Sequence, residues 1–257
     1  TLKAAAWNGT DWTILEGSTV DAAKNTVTVD IAKLYPDGIA VVAPAPVSAN
    51  TNTASNQNTN QIVGTTIVPS KDSDSDELTD QEELLYGTNA TNADTDGDGY
   101  QDGQEVLAQY DPTRGSGAKL SDSCLVKTST NTTYHYSALY PSSWVVGTMN
   151  ADKLVLFTSI TGEFAQISVQ ENASGVSARQ WYLTTNSSVS SSSLRDIAIG
   201  DLAGIIGPDN LNIFLADKTH IYQITYNIGI KTEADFLTTF AMMYTSFQTG
   251  VTAPVNS

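Results

Sequence analysis

Thirteen aspartates and glutamates lie between Asp72 and Asp111, with no lysine or arginine among them. Their spacing carries the information. From Asp94 the chain reads DTDGDGYQDGQE, which satisfies D-x-[DN]-x-[DN]-G-x5-E in full. That pattern suits a hard cation, since calcium takes about six to eight oxygens at roughly 2.3–2.6 Å. Alternate positions of a tight loop turn Asp94, Asp96 and Asp98 inward. Tyr100 offers its main-chain carbonyl, Asp102 works through a water, and Glu105 closes the shell with both oxygens. Gly99 permits the sharp turn, which a residue with a Cβ resists.

The pattern is written twice, 22 residues apart, so that Asp72, Asp74, Asp76, Leu78, Asp80 and Glu83 stand where Asp94, Asp96, Asp98, Tyr100, Asp102 and Glu105 stand in the second copy. The first copy departs at Glu77, which replaces the turn glycine. A non-glycine residue forced left-handed costs about 1–2 kcal/mol, so the first loop is expected to bind more weakly or with altered geometry. The block carries −13 of the net −16, leaving about −3 for the rest of the chain. A run of like charge usually reads as a solvated tail. A twelve-place pattern doubled in register reads instead as two calcium loops. Without a cation the carboxylates repel one another, so some protonate or the loop opens.

The segments DSDSDELTDQEELLYGTNAT and NADTDGDGYQDGQEVLAQYDPT resemble the thrombospondin type 3 repeats of bacterial and archaeal surface proteins. The resemblance implies extracellular Ca2+ binding that stiffens a spacer between domains. EF-hand pairs and dockerins fit less well. The first need a full helix on both sides of each loop, and Leu78–Tyr86 allows at most two turns. The second need a longer recognition helix after each loop.

The elements around this block set its context. Residues 1–45 read as strands, part of a larger β-domain: Asn8-Gly9 marks a hairpin, Val27, Val29 and Ile31 alternate on one face, and GIAVVAP adds a short strand. Residues 46–71 are an Asn/Thr/Ser-rich linker, and 72–115 hold the repeats. Residues 121–250 read as a compact domain of three strands, a helix over SARQWYLTT, three more strands and a last helix from about Glu233 to Phe247. Thr232 and Asp235 are expected to cap that helix, and Phe236, Phe240, Met243 and Phe247 to form its buried stripe. The order predicts an α+β, multi-domain chain whose C-terminal antiparallel sheet is packed with helices. YHYSALYPSSW, AQISVQ, HIYQITY and the closing YTSF resemble PsbP-like/Mog1-type domains, which implies a noncatalytic accessory role.

An acidic chain of pI about 4.2 repels nucleic acid and anionic lipid, and no apolar run approaches the roughly 20 residues of a membrane span. One cysteine, Cys124, excludes an internal disulfide framework and reads as a small buried residue. His135 and His220 sit at strand positions with no G-x-S-x-G elbow near them, and Glu163 and Glu171 read as solvated loop ends. No enzyme is expected. A chain that starts at Thr1 reads as a piece of a longer precursor. The sequence points to an exported cell-surface protein with a calcium-stabilised spacer and a structural or adhesive role, its partners being calcium ions and another surface or envelope component. The alternative is an accessory protein that binds a partner or ligand through the C-terminal domain.

Overall fold

The computed structural model describes residues 67–251, apart from 116 and 230, and the backbone of four short strands within 5–28. The chain divides into two compact units, Thr1–Gln61 and Ile62–Ser257. In the first, β1 (Ala5–Trp7) pairs antiparallel with β2 (Trp12–Ile14), bringing Trp7 opposite Trp12 as the Asn-Gly signal predicts. Likewise β3 (Thr19–Asp21) pairs with β4 (Thr26–Thr28). Val29, Ile31, the GIAVVAP strand and residues 46–66 of the linker lie outside the described residues.

The second unit begins with β5 (Val68–Pro69) and two short helices, α1 (Asp80–Tyr86) and α2 (Asp102–Leu107). Strands β6 (Val126–Asn131), β7 (Tyr136–Pro141), β8 (Val145–Met149), β9 (Leu154–Thr158) and β10 (Phe164–Glu171) lead to α3 (Ala178–Thr185). After it come β11 (Arg195–Ile199), β12 (Leu202–Ile206), β13 (Asn212–Ala216), β14 (His220–Asn227), β15 (Glu233–Ala234), α4 (Leu237–Thr245) and β16 (Gln248–Thr249). Seven strands form one antiparallel sheet in the order β11-β12-β13-β14-β10-β9-β8. Three more form a second sheet, β16-β7-β6, and β15 pairs in parallel with β5. The chain is α+β, as expected. Among the described residues no helix is long and apolar enough to cross a membrane.

Register explains the core. Ile206, Ile213, Ile224, Ile167 and Val155 sit opposite one another across five strands and form one buried rib of β-branched residues, the side-chain shape a pleated surface packs best. On this face lie Phe236, Phe240, Met243 and Phe247, all buried at the expected helical spacing. Successive residues point to opposite faces, so Ile205 and Phe214 turn away and meet Ala178 and Tyr182 of α3 in a smaller second core. The acidic block belongs to the first core: Leu78, Tyr86 and Val106 are fully buried among the same residues as Phe240 and Met243.

Several expectations change. Five strands precede α3, because β6 is largely polar and β8 is an exposed edge, so neither shows a periodic apolar signal. DIAIGDLAGIIG is a hairpin, β11 and β12, turning at Gly200, whose φ is +55°. The last helix starts at Leu237 rather than Glu233, since Glu233 and Ala234 are spent on pairing with β5. Its N-cap, Phe236, has no side-chain cap of its own, and the Asp235 carboxylate is taken by Ser70 and Lys231. His135 lies in the β6–β7 turn with φ +52°, not in a strand. Cys124 is exposed. Glu163 is fully buried and holds the Asp235 amide and the Lys231 ammonium, whereas Glu171 is exposed as expected.

Truncating Phe240 to alanine is expected to destabilise the second unit by about 3–5 kcal/mol, read as a lowered urea midpoint. Because the core is shared, the transition should remain single when followed separately by calcium-block and sheet probes.

Candidate metal centre

The two loops share their framing hydrogen bonds at the 22-residue spacing. Asp72 accepts from the amides of Ser75 (2.7 Å) and Glu77 (3.1 Å), and Asp94 from those of Gly97 (2.8 Å) and Gly99 (3.0 Å). Asp76 accepts from the Leu78 amide and Asp98 from the Tyr100 amide. The turn therefore winds around the first carboxylate of each copy. It requires left-handed backbone at two places, Gly97 and Gly99 in one loop and Ser75 (φ +65°) and Glu77 (φ +80°) in the other. The strain foreseen at Glu77 is present, and Ser75 adds a second instance that the glycine pattern did not flag.

After each loop a short helix carries the ninth- and twelfth-place acids. Thr79 and Glu82 cap α1 with a reciprocal box, and Gly87 ends it in left-handed conformation, which a residue without a Cβ adopts freely. Helix α2 has no capping side chain of its own at Gln101; the Gly103 amide donates instead to Asp76 of the first loop, at 3.2 Å. The approach is close enough that a Cβ on Gly103 would lie 2.2 Å from the Asp76 carbonyl oxygen. Loop 1 thus supplies the missing cap of the second repeat.

Three groups of carboxylates result, the ligand atoms of each within 4.8 Å of one another: Asp72, Asp74 and Asp76; Asp94, Asp96 and Asp98; and Asp76, Glu83 and Asp102. The third crosses between repeats and is buried throughout, at 0% exposure for Asp76 and Asp102 and 2% for Glu83. Among the described residues no lysine or arginine pairs with any member of these groups. Both oxygens of Asp74 and of Glu83, and one each of Asp96 and Glu105, are buried without a hydrogen-bond partner. Unpartnered buried carboxylate oxygens are costly. The donor set is all oxygen and carries excess negative charge, as a hard divalent cation requires. The residues fit calcium.

The electrostatics agree. Burial, aided by neighbouring carboxylates, pushes Glu105 up to about 8, Glu83 to about 7 and Asp76 to about 6. Asp74 and Asp96 are also raised, by burial and then by their acidic neighbours. These are the marks of like charges gathered without a counter-charge.

Not every sequence-predicted ligand joins a group. Asp80 is held by Lys71 at 2.9 Å and by Ser73 at 3.0 Å, and that pairing lowers its pKa. Its counterpart Asp102 accepts from Thr95 through both oxygens and sits with Asp76 and Glu83 of the other copy. The ninth place therefore serves differently in the two repeats. Lys71, just ahead of the block, accounts for the difference, since the matching residue before Asp94 is Ala93. Glu105 lies outside the three groups, although its raised pKa has Asp96 and Asp98 among its causes. The Leu78 side chain is buried in the core and the Tyr100 ring is exposed, so each has only its main chain to offer an ion. The buried Glu82, which the pattern passes over, is a structural residue treated below.

Residues 94–115 match the family model of the bacterial TSP3 repeat. Repeats of this kind bind calcium, and the match covers the loop whose twelve places are complete. No curated protein matches the chain. Among solved structures, a crystal structure from Bacteroides thetaiotaomicron is similar at 15% identity with a TM-score of 0.35, covering 49% of this chain and 48% of that one. The chain thus spans about half the length of that protein. Neither match bears on the PsbP-like/Mog1-type resemblance of the C-terminal half.

Two outcomes follow. A carboxyl group whose pKa is higher folded than unfolded contributes stability that is complete below its unfolded value and is lost as pH rises through its folded value. In EDTA the melting temperature should therefore fall as pH rises from about 4.5 towards 8, the span set by Asp76, Glu83 and Glu105; saturating calcium, replacing the protons, should remove most of that fall. Gly103→Ala should cost about 1–3 kcal/mol through overpacking against Asp76, seen as a lowered urea midpoint with calcium present.

Proposed function

We propose that this is an exported bacterial surface protein in which calcium acts structurally, joining two TSP3-type repeats to one another and to the downstream sheet domain. The observation that carries the reading is the buried group of Asp76, Glu83 and Asp102, drawn from both repeats and paired with no basic residue among the described ones. Calcium bound there would neutralise the three carboxylates and cross-link the repeats. The chain's own residues do the rest: Asp72 and Asp94 shape the loops, Asp76 caps α2, and Leu78, Tyr86 and Val106 anchor the block in the core. The downstream end of the spacer is then stiff because it is packed, and the metal couples to folding. Sites of Kd roughly 10⁻⁴–10⁻³ M suffice outside cells, and the match to a bacterial TSP3 repeat supports an extracellular location. The role that fits is structural or accessory, with no reaction assigned to the chain.

The test is a calcium titration of EDTA-stripped protein, followed by calorimetry and by melting temperature. Saturable binding with a raised transition is expected. Asp96→Ala/Asp98→Ala should lose the sites of the second loop and keep those of the first, whereas Asp76→Ala should also lose the inter-repeat site. No binding at millimolar calcium would sink the reading.

A further inference from the structure

Residues 82 and 83 are neighbours on α1 and serve different partners. Glu83 joins Asp76 and Asp102 in the inter-repeat group. Glu82, fully buried, accepts from the amide of Thr239 at 2.6 Å. Thr239 is the third residue of α4, so this is one of the first-turn amides that a helix cannot satisfy within itself. Since Phe236 provides no cap, α4 takes its cap from the calcium block. Three further bonds follow the same route. The Tyr86 hydroxyl donates to Thr239 Oγ1 at 3.2 Å, Thr238 Oγ1 donates to the Glu77 carbonyl in the first loop at 2.6 Å, and Thr79 Oγ1 donates to the Asp235 carbonyl at 2.5 Å. Just upstream, Ser70 binds the Ala234 carbonyl through its amide and hydroxyl, and Asp235 through its hydroxyl.

We infer that the calcium block is a clamp on the start of α4: loaded, it fixes the first turn of α4 and the β5–β15 pair, and stripped of calcium it releases both together. The inference rests on the calcium reading above. The physical route is short. Helix α1 has seven residues and does not hold its shape unaided. Three buried carboxylates without a cation repel, and the cheapest relief is for loop 1 to open, carrying α1 with it. Glu82 and Tyr86 then leave Thr239, and the first turn of α4 loses the side-chain cap on its Thr239 amide. The stripe from Phe236 to Phe247 lies under that helix, so the sheet's main core becomes the load whose stability calcium controls. Helix α3 packs in the separate smaller core with Ile205 and Phe214 and stays indifferent.

Amide hydrogen exchange on the full chain, in calcium and in EDTA, reads this directly, with calorimetry on the same samples. Calcium is expected to slow exchange at Thr239, Phe240 and Ser70 about tenfold or more, with little change in α3 (Ala178–Thr185). Glu82→Gln and Tyr86→Phe should leave the calcium stoichiometry intact and shrink the gain at Thr239. Tyr86→Phe removes only one hydroxyl and keeps the test alive should Glu82→Gln fail to fold. Full calcium binding with unchanged exchange at Thr239 would overturn the clamp and leave the calcium sites standing. An undiminished gain in Tyr86→Phe and Glu82→Gln would overturn it as well. Absence of binding would overturn both readings together.

Discussion

Like charge gathered in a place that water does not reach is the constraint on which this structure turns. Asp76, Glu83 and Asp102 are buried together, and no basic side chain among the described residues pairs with them. Coulomb repulsion at such distances is weak in water and severe in a protein interior. A fold that assembles these groups has to supply protons or a cation, and the raised pKa values of Asp76 and Glu83 show what the metal-free chain must do. The geometry around them couples any relief by movement to the neighbouring elements: Asp76 is tied to the Gly103 amide, and the helix bearing Glu83 is tied to α4.

The same constraint accounts for the way charge and packing alternate along the block. Leu78 is fully buried, Thr79 caps, Asp80 faces Lys71, Glu82 turns inward and Glu83 turns to the ion group. Few residues in this stretch are idle. Short helices are marginal alone, and here each borrows its stability: α2 from Asp76, α4 from Glu82. A second buried polar cluster, Glu163 with Lys231 and Asp235, closes the seam between the block and the sheet from the other side. In that cluster the cation is a lysine, which is why it needs no metal.

Much of this was legible in the sequence where one residue type dictates one local geometry. The 22-residue doubling, the turn glycines, the aromatic stripe on the last helix and the Ser177-capped helix α3 all follow from local rules. What could not be read locally is who partners whom. Asp102 and Asp80 hold equivalent places, yet Asp80 pairs with Lys71 while Asp102 joins the inter-repeat group. Glu82 looks like an ordinary capping-box residue. Its second oxygen reaches 157 positions along the chain, and no spacing rule reports that. Glu163 was misread for the same reason, since its burial is decided by Lys231 and Asp235 from a distant turn. Strands β6 and β8 escaped because edge strands lack the alternating burial that makes a strand visible.

The contact between Gly103 and the main chain of Asp76 has a consequence for modularity. As loops the two repeats are alike, since the bonds around Asp72 and Asp94 and those at Asp76 and Asp98 correspond. As neighbours they are not. The residue corresponding to Gly103 in the first copy is Gln81, which is exposed. Set behind another repeat, Gln81 would drive its Cβ into the carbonyl that Gly103 just clears. The array therefore has a reading direction: one copy can only open it and the other can only follow. Lengthening it by duplication would have to copy the second repeat, never the first.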